Sequence, residues 1–176
     1  FASTSFDMIQ LDDIQAGQRN YGDYLEPNDS SGAASPIGSF SIGTSTDVDT
    51  VSIDDNSDID FYSLTTTQPM ELTITVTPAA GTYLNGPQNG NGSCSSGTLT
   101  NYNDNQDLSI EVRSSNGTTQ LAFGDSAPAE QVETLSVTLP SPGSYFIVIN
   151  DPGSQNSIQM YDMNVVGGQV PFDGPT

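Results

Sequence analysis

The sequence has no histidine, no lysine, no tryptophan and one cysteine, and its only basic side chains are Arg19 and Arg113. Each absence closes off some chemistry. Without His, the usual general base at neutral pH and the commonest transition-metal ligand are missing. Without Lys, Schiff-base catalysis and Ser–Lys dyads are excluded. Cys94, in NGSCSSGT, has no His to activate it and no second Cys to pair with inside the chain. It reads as a free surface thiol, the alternative being a link to a second chain. With so few cations, nothing neutralises phosphates, so neither nucleic acid nor an anionic membrane surface is an expected partner. No apolar run approaches the roughly 20 residues of a membrane span, so membrane insertion is not expected. No stretch reads as a signal peptide, and a mature or excised chain is expected.

What the chain has instead is acid. Twenty-two Asp and Glu give a formal net charge of −20 over 176 residues. That balance implies solubility, self-repulsion and an appetite for cations. High net charge can also mark disorder, but the seven Phe, seven Tyr and many Val, Ile and Leu fall in periodic segments. Alternating runs rich in β-branched and aromatic residues, punctuated by Gly, Pro, Asn, Asp and Ser, predict strands near 39–43, 49–53, 59–65, 70–77, 107–113, 119–123, 132–139, 143–150 and 158–166. In MELTITVT, Leu72, Ile74 and Val76 share one face, while GSYFIVIN is apolar on both faces, as a central strand is. Helical periodicity is almost absent. The expected fold is all-β, a jelly-roll-like antiparallel β-sandwich of about eight to nine strands. The expected organisation is an N-terminal arm over 1–21, a sandwich over 22–168 and a tail over 169–176. The first dozen residues suit an extended strand or a short helix, lying on their own sandwich or on a neighbour's. Residues 79–106 form a long Gly/Asn/Ser-rich connection of the kind that is functional or mobile.

Two regions gather oxygen donors. One holds Asp23, Glu26, Asn28 and Asp29; the other, TDVDTVSIDDNSDID, holds Asp47, Asp49, Asp54, Asp55, Asp58 and Asp60. Six carboxylates that close repel one another unless solvated or neutralised. Solvated turns and a hard cation such as Ca²⁺ explain this equally well on spacing alone. Asp54, Asn56, Asp58 and Asp60 alternate as in an EF-hand loop, but Ile59 stands at the glycine position and Thr65 at the glutamate position, so that motif is rejected. Asn101, Asn103, Asn105 and Asp107 alternate similarly and read as a turn. Asn-X-Ser/Thr sequons occur at Asn28, Asn91 and Asn116, glycosylated only in a competent secretory pathway. A Thr/Ser/Asn/Gly-rich, Lys-free, acidic composition suggests an extracellular setting, secreted or cell-surface.

One further pattern narrows this. Glu26-Pro27-Asn28-Asp29 with Ala33 and Ala34, then Gly38 and Ile42, then Asp58-Ile59-Asp60-Phe61-Tyr62-Ser63-Leu64, are followed by the strands at 72–76, 107–112, 142–148 and 161–165. Together, over about residues 24–166, they resemble the bacterial pre-peptidase C-terminal (PPC) domain family, related to the collagen-binding domains of clostridial collagenases. The resemblance implies a jelly-roll sandwich without catalysis, and a Ca²⁺ ion held by Glu26, Asn28, Asp29, Asp58 and Asp60. Tyr24 departs from the pattern, which has an acid there; the loops at 44–57 and 78–106 are longer than expected.

The functional expectation is a non-catalytic, calcium-stabilised extracellular sandwich acting as a structural or assembly subunit, self-associating through its N-terminal arm. The alternative is an accessory domain of a secreted protease or other hydrolase that aids secretion or binds a polymer such as collagen or polysaccharide. Tyr83 and Tyr102, in the long loop, are then the candidate polymer contacts. A glycosidase built on paired carboxylates is the remaining reading.

Overall fold

The computed structural model describes residues 11–87, 89–93, 95–153 and 156–171, with the side chains of 11, 12 and 83–85 left aside. One helix, α1 (Leu11–Tyr21), precedes eleven strands: β1 (Ser35–Phe40), β2 (Ser45–Ile53), β3 (Asp60–Thr66), β4 (Met70–Pro78), β5 (Thr82–Asn85), β6 (Thr98–Asn101), β7 (Ser109–Ser114), β8 (Gln120–Gly124), β9 (Glu133–Leu139), β10 (Gly143–Asn150) and β11 (Gln159–Gly168). Nine of them form an all-β sandwich: a five-stranded sheet ordered β1-β3-β10-β7-β8 and a four-stranded sheet ordered β2-β11-β4-β9. The chain alternates between the sheets from β1 to β4 and again from β8 to β11. Every pairing is antiparallel except β1 with β3.

The alternation in the sequence becomes the two faces of each sheet. In β4, Leu72, Ile74 and Val76 are fully buried while the Thr residues between them are not. They meet Tyr62, Leu64, Ile110, Val112, Ile147 and Ile149 of the opposite sheet in one continuous core. Burying each such side chain stabilises the fold by about 1.5–3 kcal/mol, before chain entropy is counted. The chain entering and leaving this core sets the site: β2 ends, β3 begins, β10 ends and β11 begins at the same end of the sandwich, with Ile149 opposite Asp60 and Gln159 opposite Ile53.

Three elements differ from the sequence reading. The first strand lies at 35–40, not 39–43. Residues 41–44 turn instead, with Thr44 N–H donating to Ser41 O at 3.0 Å and Gly43 N–H to Gly167 O at 2.7 Å. Pro36 is accommodated because β1 is an edge strand, where a missing N–H costs little. The long connection contains a two-stranded ribbon, β5 with β6. Its root is held by Tyr102, whose hydroxyl donates to Ala80 O at 2.6 Å; a Cβ on Gly81 would lie 1.8 Å from that hydroxyl, so only glycine fits. Finally, residues 11–21 are helical and dock on their own sandwich. Gln15 and Gln18, three apart, form the buried side, and Gln18 Nε2 donates to Thr50 O of β2 at 3.2 Å. A helix that buries amides instead of aliphatic groups leaves no apolar period to read. Residues 1–10 of the expected arm lie outside the described residues.

Candidate metal centre

The acidic end is assembled from two segments. Residues 22–34 run from α1 to β1, and residues 54–59 turn from β2 into β3. Gly22 starts the first segment. It caps α1 in the left-handed conformation (φ 72°), its N–H donating to Gln18 O at 2.7 Å. A Cβ there would sit 2.4 Å from Glu26 Cγ, so the cap also leaves room for Glu26. Asp23 then ties the segment to β2: its carboxylate accepts from Leu25 N–H at 2.7 Å and Ser52 N–H at 2.8 Å. Further on, Asn28 O accepts from Phe61 N–H at 2.9 Å, fixing the tetrapeptide to β3.

This docking brings Glu26, Asp29 and Asp58 together. One carboxylate oxygen of each lies within 4.8 Å of the other two. Among the described residues this is the one group of three or more acidic or thiol side chains close enough to share an ion. Asn28 is completely buried, yet neither its Oδ1 nor its Nδ2 has a hydrogen-bond partner. Asp58 Oδ2 accepts from Asp54 N–H at 2.6 Å, while its Oδ1 is unpartnered. Asp60, also fully buried, shows the same division: Oδ2 accepts from the Tyr161 hydroxyl, and from Tyr62 OH at 3.3 Å, while Oδ1 has no partner. The two tyrosines are themselves joined at 2.8 Å, so Asp60 is gripped from both sheets.

Burial governs the ionisation. It is the largest cause pushing Asp58 up to about 8, with the charges of Glu26, Asp54 and Asp29 adding to it. Burial, then the charge of Asp58, holds Asp60 well above the usual carboxylate range. Glu26 is raised by burial and by Asp29, Asp23 and Asp54, against the opposing N–H of Asn28. A set of acids raised this way is a set that resists holding its charges together without a counter-ion.

The protein's own cations do not supply one. Arg113 pairs with Glu111 at 2.7 Å and lies 5.2 Å over the Phe61 ring. Arg19 does line the cleft, about 380 Å³ in volume, together with Glu26, Asp29, Asp54, Asp55 and Asp58. Its guanidinium, however, donates to Asp54 O, Ser157 O and Asn156 Oδ1, not to the clustered carboxylates. The donor set fits a hard cation. Ca²⁺ takes six to eight oxygens at roughly 2.3–2.6 Å, so oxygens facing each other across the ion stand about 4.8 Å apart. Glu26, Asp29 and Asp58 would hold it; Asp60 is not among the carboxylates that converge, and Asn28 Oδ1 and Asp60 Oδ1 are buried without partners.

The other residues singled out from the sequence fall elsewhere. Asn105 is a turn residue, its Nδ2 donating to Ile158 O at 2.9 Å. Asn28 does not offer an accessible glycosylation site, because it is buried; Asn91 and Asn116 are exposed. Tyr102 is 8% exposed, because it anchors the β5–β6 ribbon, and so does not present the polymer-contact surface expected of it. Tyr21 and Tyr24 are the exposed tyrosines at the acidic end instead. The side chain of Tyr83 and the whole of Cys94 lie outside the described residues. Sequence reasoning missed Tyr161 and Arg19, whose partners are distant in the chain and carry no local motif.

No family model matches the chain, and no curated protein matches it. Solved structures match it, two of them as follows. The pre-peptidase C-terminal domain of a collagenase from Bacillus anthracis aligns with a TM-score of 0.44 at 15% identity, covering 75% of this chain and 93% of that one. PliG of Aeromonas hydrophila, a periplasmic inhibitor of g-type lysozyme, aligns with a TM-score of 0.43 at 12% identity, covering 76% and 98%. The first belongs to the family that residues 24–166 resemble. At these identities and scores neither says what this chain binds. Among the described residues no helix is long and apolar enough to cross a membrane.

Proposed function

We propose that this chain is a non-catalytic, extracellular β-sandwich whose N-terminal segment is clamped to the β2–β3 turn by Ca²⁺. The observation that carries this reading is the convergence of Glu26, Asp29 and Asp58, one of which, Asp58, keeps a buried oxygen without a partner. A buried polar atom without a partner costs about 1–3 kcal/mol, and an oxygen-seeking ion among the three carboxylates would answer that of Asp58. With no His and no Lys in the sequence, Ser–His, Cys–His and Ser–Lys hydrolysis are excluded, and the site is read as holding two segments together.

Calorimetric titration of the metal-free protein with CaCl₂ tests this, alongside thermal melts in calcium and in chelator. At free calcium about 100-fold above Kd the ion adds roughly 2.7 kcal/mol, which raises Tm by about 5–10 °C in a chain of this size. No heat of binding and superimposable melts would remove the ion from this account.

A further inference from the structure

The two sheets present four edge strands, and the chain guards them differently. β1 carries Pro36 and a register shift beside it. β2 carries the exposed acids Asp47 and Asp49, and its backbone is already engaged: Thr50 O accepts from Gln18, and Ser52 N–H donates to Asp23. At the start of β9, Glu133 folds the preceding loop against the strand, accepting from Ser126 N–H at 3.0 Å and Ala127 N–H at 2.7 Å. β8, QLAFG, has neither charge nor proline, and pairs with β7 alone. One register shift falls at Leu121, and beyond it Ala122, Phe123 and Gly124 pair regularly with Val112, Glu111 and Ile110. Leu121 is 42% exposed and Phe123 48% exposed. An edge strand without a charged gatekeeper, carrying a large exposed aromatic residue, is a template for another strand.

We infer that this edge receives residues 1–10 of a second copy of the chain. Three observations select that occupant. In a chain of net charge −20, two copies repel unless they meet where charge is low; FASTSFDMIQ carries one acid and β8 none. Residues 1–10 also carry Phe1, Phe6, Met8 and Ile9, with Phe6 and Met8 at strand spacing, an apolar content that needs cover. Finally, the segment joins the fold at Leu11, and α1 docks on β2, an edge of the four-stranded sheet, whereas β8 is the far edge of the five-stranded sheet. Donor and acceptor therefore belong to different patches, and the contact is head-to-tail, the kind that propagates into open chains of subunits.

This inference does not depend on the ion. The test uses the full chain, with and without calcium. Sedimentation over a wide concentration range should show oligomers that lengthen with concentration. Phe123→Lys with Leu121→Lys should weaken association at least about tenfold, and Phe6→Asp with Met8→Asp should do the same. Retained melting transitions show that these variants are folded. As a measurement independent of them, chains carrying Met8→Cys are mixed with chains carrying Phe123→Cys, both in a Cys94→Ser background, and oxidised. A mixed disulfide dimer in excess over either homodimer supports the pairing. A monomer at every concentration overturns it, as do oligomers that persist in both double variants, or an excess of homodimers. Loss of oligomers only on calcium removal would place the contact at the acidic end, and would also overturn it.

Discussion

This sandwich treats its buried carboxylates in two opposite ways. Glu133 is 3% exposed, and the loop before β9 meets it with Ser126 N–H at 3.0 Å, Ser126 Oγ at 3.2 Å and Ala127 N–H at 2.7 Å. Asp23, 8% exposed, likewise receives a backbone N–H on each oxygen. Asp58 and Asp60 are just as buried, yet each keeps an oxygen with no partner, and buried Asn28 keeps both its Oδ1 and its Nδ2 without one. The chain evidently can satisfy a buried acid with its own backbone. Where it leaves oxygens of Asp58 and Asp60 bare, at the end of the sandwich where Glu26, Asp29 and Asp58 converge, the proposed ion is the partner to test for.

That contrast can be broken by one pair of isosteric substitutions. Asp58→Asn keeps the shape and one acceptor but removes the charge an ion would use. In calcium it should lose most of the ion's contribution, about 2–3 kcal/mol at saturating metal. In chelator at pH 8 it should be at least as stable as the parent, because Asn needs no proton to be buried there. Glu133→Gln should lose about 1–2 kcal/mol through weakened hydrogen bonds, equally in calcium and in chelator. Urea unfolding of the three proteins in both buffers supplies all six values. A calcium-dependent loss at Glu133, or equal losses in both buffers at Asp58, would erase the distinction.

The pH dependence sharpens the same point. In the metal-free protein the Asp58 carboxyl titrates near 8 in the folded state, against an unfolded value of 3.8. The folded state therefore holds a proton that the unfolded chain has already released. Its stabilising effect is complete below about pH 4 and is lost as pH rises towards 8; Asp60 and Glu26 are raised as well and carry the same sign. On the proposed reading calcium replaces those protons, and would bind better as they leave. Unfolding midpoints should thus fall from pH 5 to pH 8 without metal, while the gap between metal-free and calcium-loaded curves widens. Parallel curves would mean that these acids do not take up the ion.

How much of this could be read in the sequence follows from where each signal resides. The all-β sandwich was legible because its core strands alternate locally: Leu72, Ile74 and Val76 announce their face without reference to any other segment. Glu26, Asn28, Asp29, Asp58 and Asp60 could be singled out together only through the family resemblance, since spacing alone explained solvated turns equally well. What makes their arrangement informative, the bare oxygens of Asn28 and Asp60, is a property of packing and has no sequence signature. The helix went unseen because it docks through Gln15 and Gln18. Tyr161 meets Asp60 across 101 positions, and Arg19 meets Ser157 across 138; no local pattern encodes such pairs. Tyr102 misled because a tyrosine in a Gly/Asn-rich stretch looks exposed until its hydroxyl is seen rooting a ribbon.

The smallest expected effect asks whether the backbone is shaped for the ion or only for the helix. Gly17 and Gly22 lie five residues apart. A Cβ at Gly17 meets nothing within 4 Å, so Gly17→Ala should stabilise α1 by up to about 1 kcal/mol in calcium and chelator alike. Gly22 has φ 72°, and its Cβ would press on Glu26 Cγ. Gly22→Ala should cost about 1 kcal/mol of backbone strain in either buffer. In calcium it should cost more, because the same methyl displaces a carboxylate that the ion needs. Calcium affinity measured by titration should therefore fall for Gly22→Ala and stay unchanged for Gly17→Ala. If both variants bind calcium as the parent does, Glu26 is held in place by the turn alone, and the ion does not depend on it.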